Sequence, residues 1–205
     1  LAATFIVAIA AVRARQVVTL ILIGVGLSSF AGALMALLLN LAPNPFTLAD
    51  MINWTLGTVA NRSVQDIALA LPFLLLGGAL MLASGRGLAA LALGEEAAQS
   101  MGLNLKRQRL TVIIGAGLAT GGAVALAGAV GFVGIVAPHV LRPFVRHDPA
   151  RLLVPSALLG AAILVVADIG VRLIPTVSEL RLGVVAALIG PPVFVWIAAK
   201  GRVSA

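Results

Sequence analysis

Residues 17–42, VVTLILIGVGLSSFAGALMALLLNLA, carry no ionisable side chain from end to end. A helix needs about 20 apolar residues to cross a bilayer core of about 30 Å, so this stretch reads as a membrane span and sets the class of the chain. Comparable runs lie near 66–84, 110–127, 131–145, 152–174 and 183–199, and the end of one more covers 1–12. The run at 131–145 is short for a full crossing, and the one at 183–199 is interrupted by Gly190, Pro191 and Pro192. The expected fold is all-α: a polytopic membrane helical bundle of about six spans plus part of another, forming one transmembrane domain over 1–205.

Composition agrees. Charged residues make up 10% of the 205 residues and hydrophobic ones 61%, with a mean hydropathy of +1.14. A soluble domain carries about 25% charged residues. The 22 glycines and 10 prolines are no objection, because both are more frequent in membrane helices than in soluble ones. The chain starts at Leu1 and is apolar through Val12, so it reads as N-terminally truncated, beginning inside a helix; a basic start and a small-residue cleavage site, the marks of a signal peptide, are absent. With no Cys and two His, the chain offers no disulfide, thiolate metal site or self-contained metal cage.

The net charge of +7 raises the possibility of a nucleic-acid partner, but the charges are placed by topology. If the loops alternate sides, one side collects Arg13, Arg15, Arg86, Lys106, Arg107, Arg109, Arg142, Arg146, Arg151, Lys200 and Arg202, and the other only Arg62, Arg172 and Arg181. Eleven against three marks the first side as cytoplasmic, the C terminus included. No nucleic acid is required. On the external side, Pro43, Asn44 and Pro45 break the chain, and Ala49 to Ala60 is expected to form a short interfacial helix anchored by Trp54, with Trp196 as a belt residue near the other face.

On the cytoplasmic side lies an amphipathic segment, Leu93 to Leu103, with two carboxylates between long apolar runs. Gly94 and Gly102 punctuate it, and as a helix it places Leu93, Ala97 and Met101 on one stripe with Glu95, Glu96 and Gln99 on other faces. Such a piece sits in water and touches a partner. Both lysines follow residues other than glycine, so no Gly-Lys-Ser/Thr phosphate loop is present and ATP binding by this chain is not expected. No nucleophile and base stand in a recognisable arrangement, so the chain is not read as an enzyme, and no cofactor is expected in it.

Small residues mark helix contacts. Gly24, Ser28 and Gly32 recur every fourth residue, as do Gly117 and Gly121, and packing is the favoured reading over a direct substrate contact. Gly128, Gly131 and Gly134 precede Pro138 at a spacing of three; two readings stand, a gate near a translocation path and a tight bend between spans. Gly190, Pro191 and Pro192 remove two backbone donors, so the expected break must be buried in protein or line a wet cavity. Asp168 and Arg172 share a helix face near the external end, either as a mutual pair or with Arg172 as a docking charge. His139 reads as a structural histidine bonded to a backbone carbonyl.

These residues also resemble a family. Glu96, Ala97, Ala98 and Gly102 are similar to the Glu-Ala-Ala, three residues, Gly motif of ABC importer permeases, and Leu93 to Leu103 resembles the cytoplasmic loop of the iron-siderophore, haem and vitamin B12 importer permeases. Gly131-Phe132-Val133-Gly134 with Pro138, His139 and Arg142 agrees, as do Asp168 with Arg172, Glu179-Leu180 leading to Gly183, and Leu188-Ile189-Gly190 with Phe194. Trp54 and Gly57 fit the external segment. The sequence departs from the family at Ala129 and at Arg181, where proline is common.

The resemblance implies a permease domain corresponding to the C-terminal part of a subunit that usually has ten spans. Gly94, Glu95, Glu96, Ala97, Ala98 and Gly102 would form the ATPase-coupling segment. Arg172, with Arg181 as a second contact, would receive an acidic group of a periplasmic or lipid-anchored substrate-binding protein. Gly131, Gly134, Pro138, Gly190 and Pro191 fall on the pathway or its gate, and the first complete span and the last would line it. The implied partners are ATP-binding cassette ATPases, a second permease subunit in a homodimer or heterodimer, and membrane lipids; the implied place is the bacterial inner membrane. Ferric siderophore or haem leads as substrate and vitamin B12 follows. An ion-coupled secondary transporter is the rival from another class, and it would need ionisable groups deep in the spans, which are not evident.

Overall fold

The computed structural model describes residues 2–13, 17–60, 62–146, 148–173 and 181–201. Glu179, Leu180, Arg15 and Arg202, and the side chains of Arg13, Trp196 and Lys200, lie outside what it describes. The described residues form helices α1 (Ala2–Arg13), α2 (Val17–Asn40), α3 (Pro45–Leu56), α4 (Val64–Ala83), α5 (Gly85–Leu91), α6 (Glu95–Ser100), α7 (Leu105–Ala127), α8 (Val133–Leu141), α9 (Pro149–Leu173) and α10 (Leu182–Gly201), with a 3₁₀ turn over Arg142–Val145 after α8. Four of them, α2, α4, α7 and α9, are long and apolar enough to cross a membrane. Helix is the only local structure that satisfies every backbone group within a single segment in lipid, which is why a run such as α2, Leu-rich but with three valines and three glycines, is helical here.

Helix starts are set by caps. The Asn44 side chain accepts from Thr47 N at 2.9 Å with Pro45 in the first turn, so α3 begins at Pro45, four residues before the expected Ala49. It also ends earlier, because Gly57 takes φ +70. Ser63 and Asp66 form a capping box at the head of α4, with bonds of 2.9 and 3.2 Å. Asn104 caps α7, and Asp148 Oδ1 accepts from Ala150 N at 2.9 Å at the start of α9.

α4 and α7 run antiparallel in close backbone contact. A Cβ on Gly77 would stand 2.5 Å from Ala119 N, and one on Gly122 3.1 Å from Phe73 Cβ. Gly117 meets Thr4 of α1, so the expected packing role of the α7 small face is seen there. The α2 face differs: Gly24 and Gly32 have nothing within 4 Å, and α2 exposes large apolar side chains such as Leu22 and Phe30.

The two ends of the bundle are distinct. At one, Gly85 packs against Ala150 and Leu153, bringing the Arg-rich stretches 84–109 and 142–151 together. At the other, Thr58 N donates to Ala127 O at 2.8 Å and Gly183 N to Gly57 O at 3.3 Å. The described loops therefore fall in two sets, one at each end, as alternation requires.

One expectation is met and one changes. α8 has nine residues and rises about 14 Å, half of a bilayer core. α10 does not break at Gly190-Pro191-Pro192 but continues through them as helix. The prolines supply no N–H to the preceding turn, so two carbonyls there lack their helical donor although the helix is not interrupted.

Candidate functional site

Within Leu93 to Leu103, α6 covers Glu95–Ser100. Gly94 precedes it at φ +102, and Ala98 N donates to Gly94 O at 3.0 Å. At its end Gly102 takes φ +85, its N–H reaches Gln99 O at 2.8 Å, and Leu103 N reaches Ala98 O at 3.0 Å, the two bonds of a Schellman cap. A Cβ added at either glycine would meet nothing within 4 Å, so backbone conformation alone demands glycine at both positions. Glu95 and Glu96 occupy the first turn, where the helix dipole favours them.

The faces of α6 divide sharply. Ala98 is fully buried, whereas Leu93 and Met101 are 69% and 59% exposed and Glu96, Ala97 and Gln99 are exposed beside them. Leu93, Ala97 and Met101, the three residues of the expected stripe, are all exposed, though Leu93 precedes α6 and Met101 follows it. Glu95 Oε1 pairs with Arg109 Nη2 at 2.6 Å, while Glu96 makes no ion pair among the described residues.

Sequence reading missed the frame behind α6. Gln108, in the first turn of α7, is buried and donates Nε2 to Ser84 O at 2.8 Å. Ser84, itself buried, returns its hydroxyl to Met81 O at 2.7 Å where α4 passes into α5. Gly87 of α5 lies directly against the Gln108 carboxamide. The paired glycines Gly85 and Gly87 after Ser84 were the available signal.

At the opposite end, three glycines let three chain segments meet. A Cβ on Gly57 would stand 2.7 Å from Ala129 O, one on Gly128 2.5 Å from Trp54 O, and Gly183 lies against the carbonyls of Leu56 and Ala129. Arg181 Nη2 donates to Asn53 Oδ1 at 2.8 Å, tying the head of α10 to α3. Arg172 Nε pairs with Asp168 Oδ2 at 2.8 Å, its side chain 60% exposed. Trp54 borders a cavity of about 380 Å³ between α4 and α7, with Arg62 and Asp66 at the same rim.

The residues expected at a gate are placed in two groups. Gly131 lies in the turn before α8 and Gly134 and Pro138 lie within α8. Gly190 packs on Phe132, a non-glycine residue at φ +67, and both border an apolar cavity of about 200 Å³ with Val136, Ile163 and Ile189. Pro191 follows within α10. His139 meets Phe194 edge-on, ring centres 5.4 Å apart, giving α8 and α10 a second contact.

The sequence pattern of the FecCD transport family matches residues 1–200. The chain belongs to the FecCD transport family. Among its relatives, an uncharacterized ABC transporter permease protein, YvrB of Bacillus subtilis (strain 168), is 41% identical over 179 residues, which are 87% of this chain and 50% of the relative. The vitamin B12 import system permease protein BtuC of Klebsiella pneumoniae is 36% identical over 199 residues, 97% of this chain and 60% of the relative. The Fe(3+) dicitrate transport system permease protein FecD of Escherichia coli (strain K12) is 34% identical over 190 residues, 93% and 59%. This FecCD chain therefore spans about half to three-fifths of the length of these relatives. A transporter assigned to the metal-chelate ABC type, solved in an inward-facing conformation, superposes with a TM-score of 0.84 at 28% identity, over 91% of this chain and 60% of that one.

Proposed function

We propose that this chain acts in the permease subunit of an ATP-driven importer that carries a metal chelate, ferric siderophore or haem, across the bacterial inner membrane. The supporting observation is α6: a short helix bounded by two positive-φ glycines and closed by a Schellman cap, with exposed Leu93 and Met101 flanking it, at the Arg-rich end of the bundle and tied to the spans behind it. A short exposed helix with an apolar stripe fits a groove in a partner. In this reading Gly94 to Gly102 docks in a cytoplasmic ATPase, and hydrolysis belongs to that partner.

In this reading the Arg-rich end and the C terminus are cytoplasmic, and α8 and α10 join the four long helices as the remaining two of six spans, with α1 the end of another. Two such subunits, identical or different, face each other with α2 and α10 lining the pathway. α2 supports this with a run free of charge and with outward apolar side chains, which suit a bulky ligand passed along without tight binding. Arg172 and Arg181, at the external end, receive acidic groups of the substrate-binding protein. Gly131, Gly134, Pro138, Gly190 and Pro191 form the flexible part of the pathway wall. ATPase closure moves α6 and rocks the spans between outward and inward access.

Vitamin B12 is the alternative substrate to the chelate, since relatives named for it match as fully as those named for iron chelates. An ion-coupled transporter is disfavoured by the acids of the four long helices: Asp66 is engaged in a cap and Asp168 is paired with Arg172, both near helix ends. Because the chain has no cysteine, Met101→Cys creates a single attachment point on α6. Cross-linking from that position to the co-expressed ATPase is expected, and cross-linking only to lipid or to the permease itself would overturn the reading.

A further inference from the structure

The geometry points to Gln108 as a positioning residue, which with Arg109 clamps α5 and α6 to the root of α7 and makes residues 84–109 one lever. This rests on the importer reading for its purpose, though not for its geometry. α6 has six residues and is flanked by two glycines with positive φ. On its own it would swivel, and a push from a partner would be absorbed at Gly94 and Gly102.

Two successive residues of α7 remove that freedom. Side chains at neighbouring helix positions leave the axis about 100° apart, so Gln108 and Arg109 reach different elements. Arg109, 17% exposed, holds Glu95 of α6. Gln108 holds the α4–α5 junction through Ser84 O, and Gln108 and Ser84 are the two buried polar side chains among the described residues, 9% and 1% exposed. A glutamine at a helix end facing water would be solvated without cost; burying its amide is unfavourable unless it is bonded, so the bond to Ser84 is structurally committed. Gly87 is shaped to it, since any larger side chain there would overlap the carboxamide.

The clamp leads directly into the membrane. Ser84 N donates to Leu80 O at 3.0 Å, so α4 runs into α5 without a free loop. Further along, Gly77 and Gly115 lock α4 to α7, and Gly85 brings in α9. Displacement of α6 is thereby delivered to three spanning helices together.

The test uses the full-length permease in proteoliposomes with its ATPase and binding protein, comparing wild type with Gln108→Met, which keeps volume but has no donor. Gln108→Glu, which turns an acceptor toward the Ser84 carbonyl, gives a second reading should the first variant fold poorly. Expected are faster amide hydrogen exchange over 85–103, measured without the ATPase, and a fall of about fivefold in substrate moved per ATP, the low end of usual coupling between sites. Unchanged exchange overturns the clamp whatever transport does. Faster exchange with an unchanged ratio overturns the positioning role. A wild type whose transport ignores ATP overturns the importer reading, while the exchange result still decides the clamp.

Discussion

Arg109 reaches across the turn between α6 and α7 to Glu95, its Nη2 2.6 Å from the carboxylate. The pair separates the two acids of the segment. Glu95 is held toward the bundle, and Glu96 is left on the outer face beside Leu93 and Met101. Removing Arg109 with Arg109→Ala should loosen α6 by about 0.5–1 kcal/mol, the scale of a partly exposed ion pair. Faster hydrogen exchange over 95–101 is expected, and high salt should reproduce part of it in the wild type. A variant with unaltered exchange would show that Glu95 is positioned by the caps alone.

Gly77 and Gly78 offer a contrast between adjacent positions. A Cβ at Gly77 would lie 2.5 Å from Ala119 N, a backbone atom, while one at Gly78 would meet nothing within 4 Å. Gly77→Ala should therefore destabilise by about 2–3 kcal/mol through forced separation of α4 and α7, and Gly78→Ala should stay within about 0.5 kcal/mol of wild type. Thermal unfolding in detergent distinguishes the two, and equal midpoints would remove the α4–α7 contact as a source of stability.

Arg172 is bonded to Asp168 yet largely exposed, so it is available to a second acid. Arg172→Glu is expected to weaken capture of the substrate-binding protein about tenfold or more, as expected for reversal of a docking charge. Asp168→Asn keeps the cation and should leave affinity near wild type. Titration of nanodisc-held permease with the binding protein reads both; normal affinity in Arg172→Glu would leave the residue as Asp168's partner only.

The long spans were legible because lipid imposes one backbone solution on any uncharged run of sufficient length, and α2, α4, α7 and α9 follow their runs closely. α6 was legible for a different reason: Gly94 and Gly102 mark backbone conformations that other residues adopt only with strain. Less was visible where a signal has two meanings. Asn44-Pro45 read as a break and is a helix start, because a capping side chain and a first-turn proline use the residues that also end helices. The prolines of α10 read as an interruption and are carried within the helix. Gln108 stands among Lys106, Arg107 and Arg109, and its burial depends on Ser84, 24 positions earlier. Arg181 and Asn53 are 128 residues apart, and nothing local announces their bond. The Gly24 and Gly32 face, read as a packing surface, meets no neighbour among the described residues.

The decisive observation is ATP hydrolysis and substrate uptake, measured together in proteoliposomes holding the full-length permease, its ATPase and its binding protein. Glu96→Arg combined with Gly102→Pro reverses the outward charge of α6 and removes the N–H that Gly102 donates to Gln99 O. Uptake should fall to background, with hydrolysis no longer stimulated by the loaded binding protein. Wild-type uptake and wild-type stimulation in the double variant would mean that α6 is not where the ATPase acts.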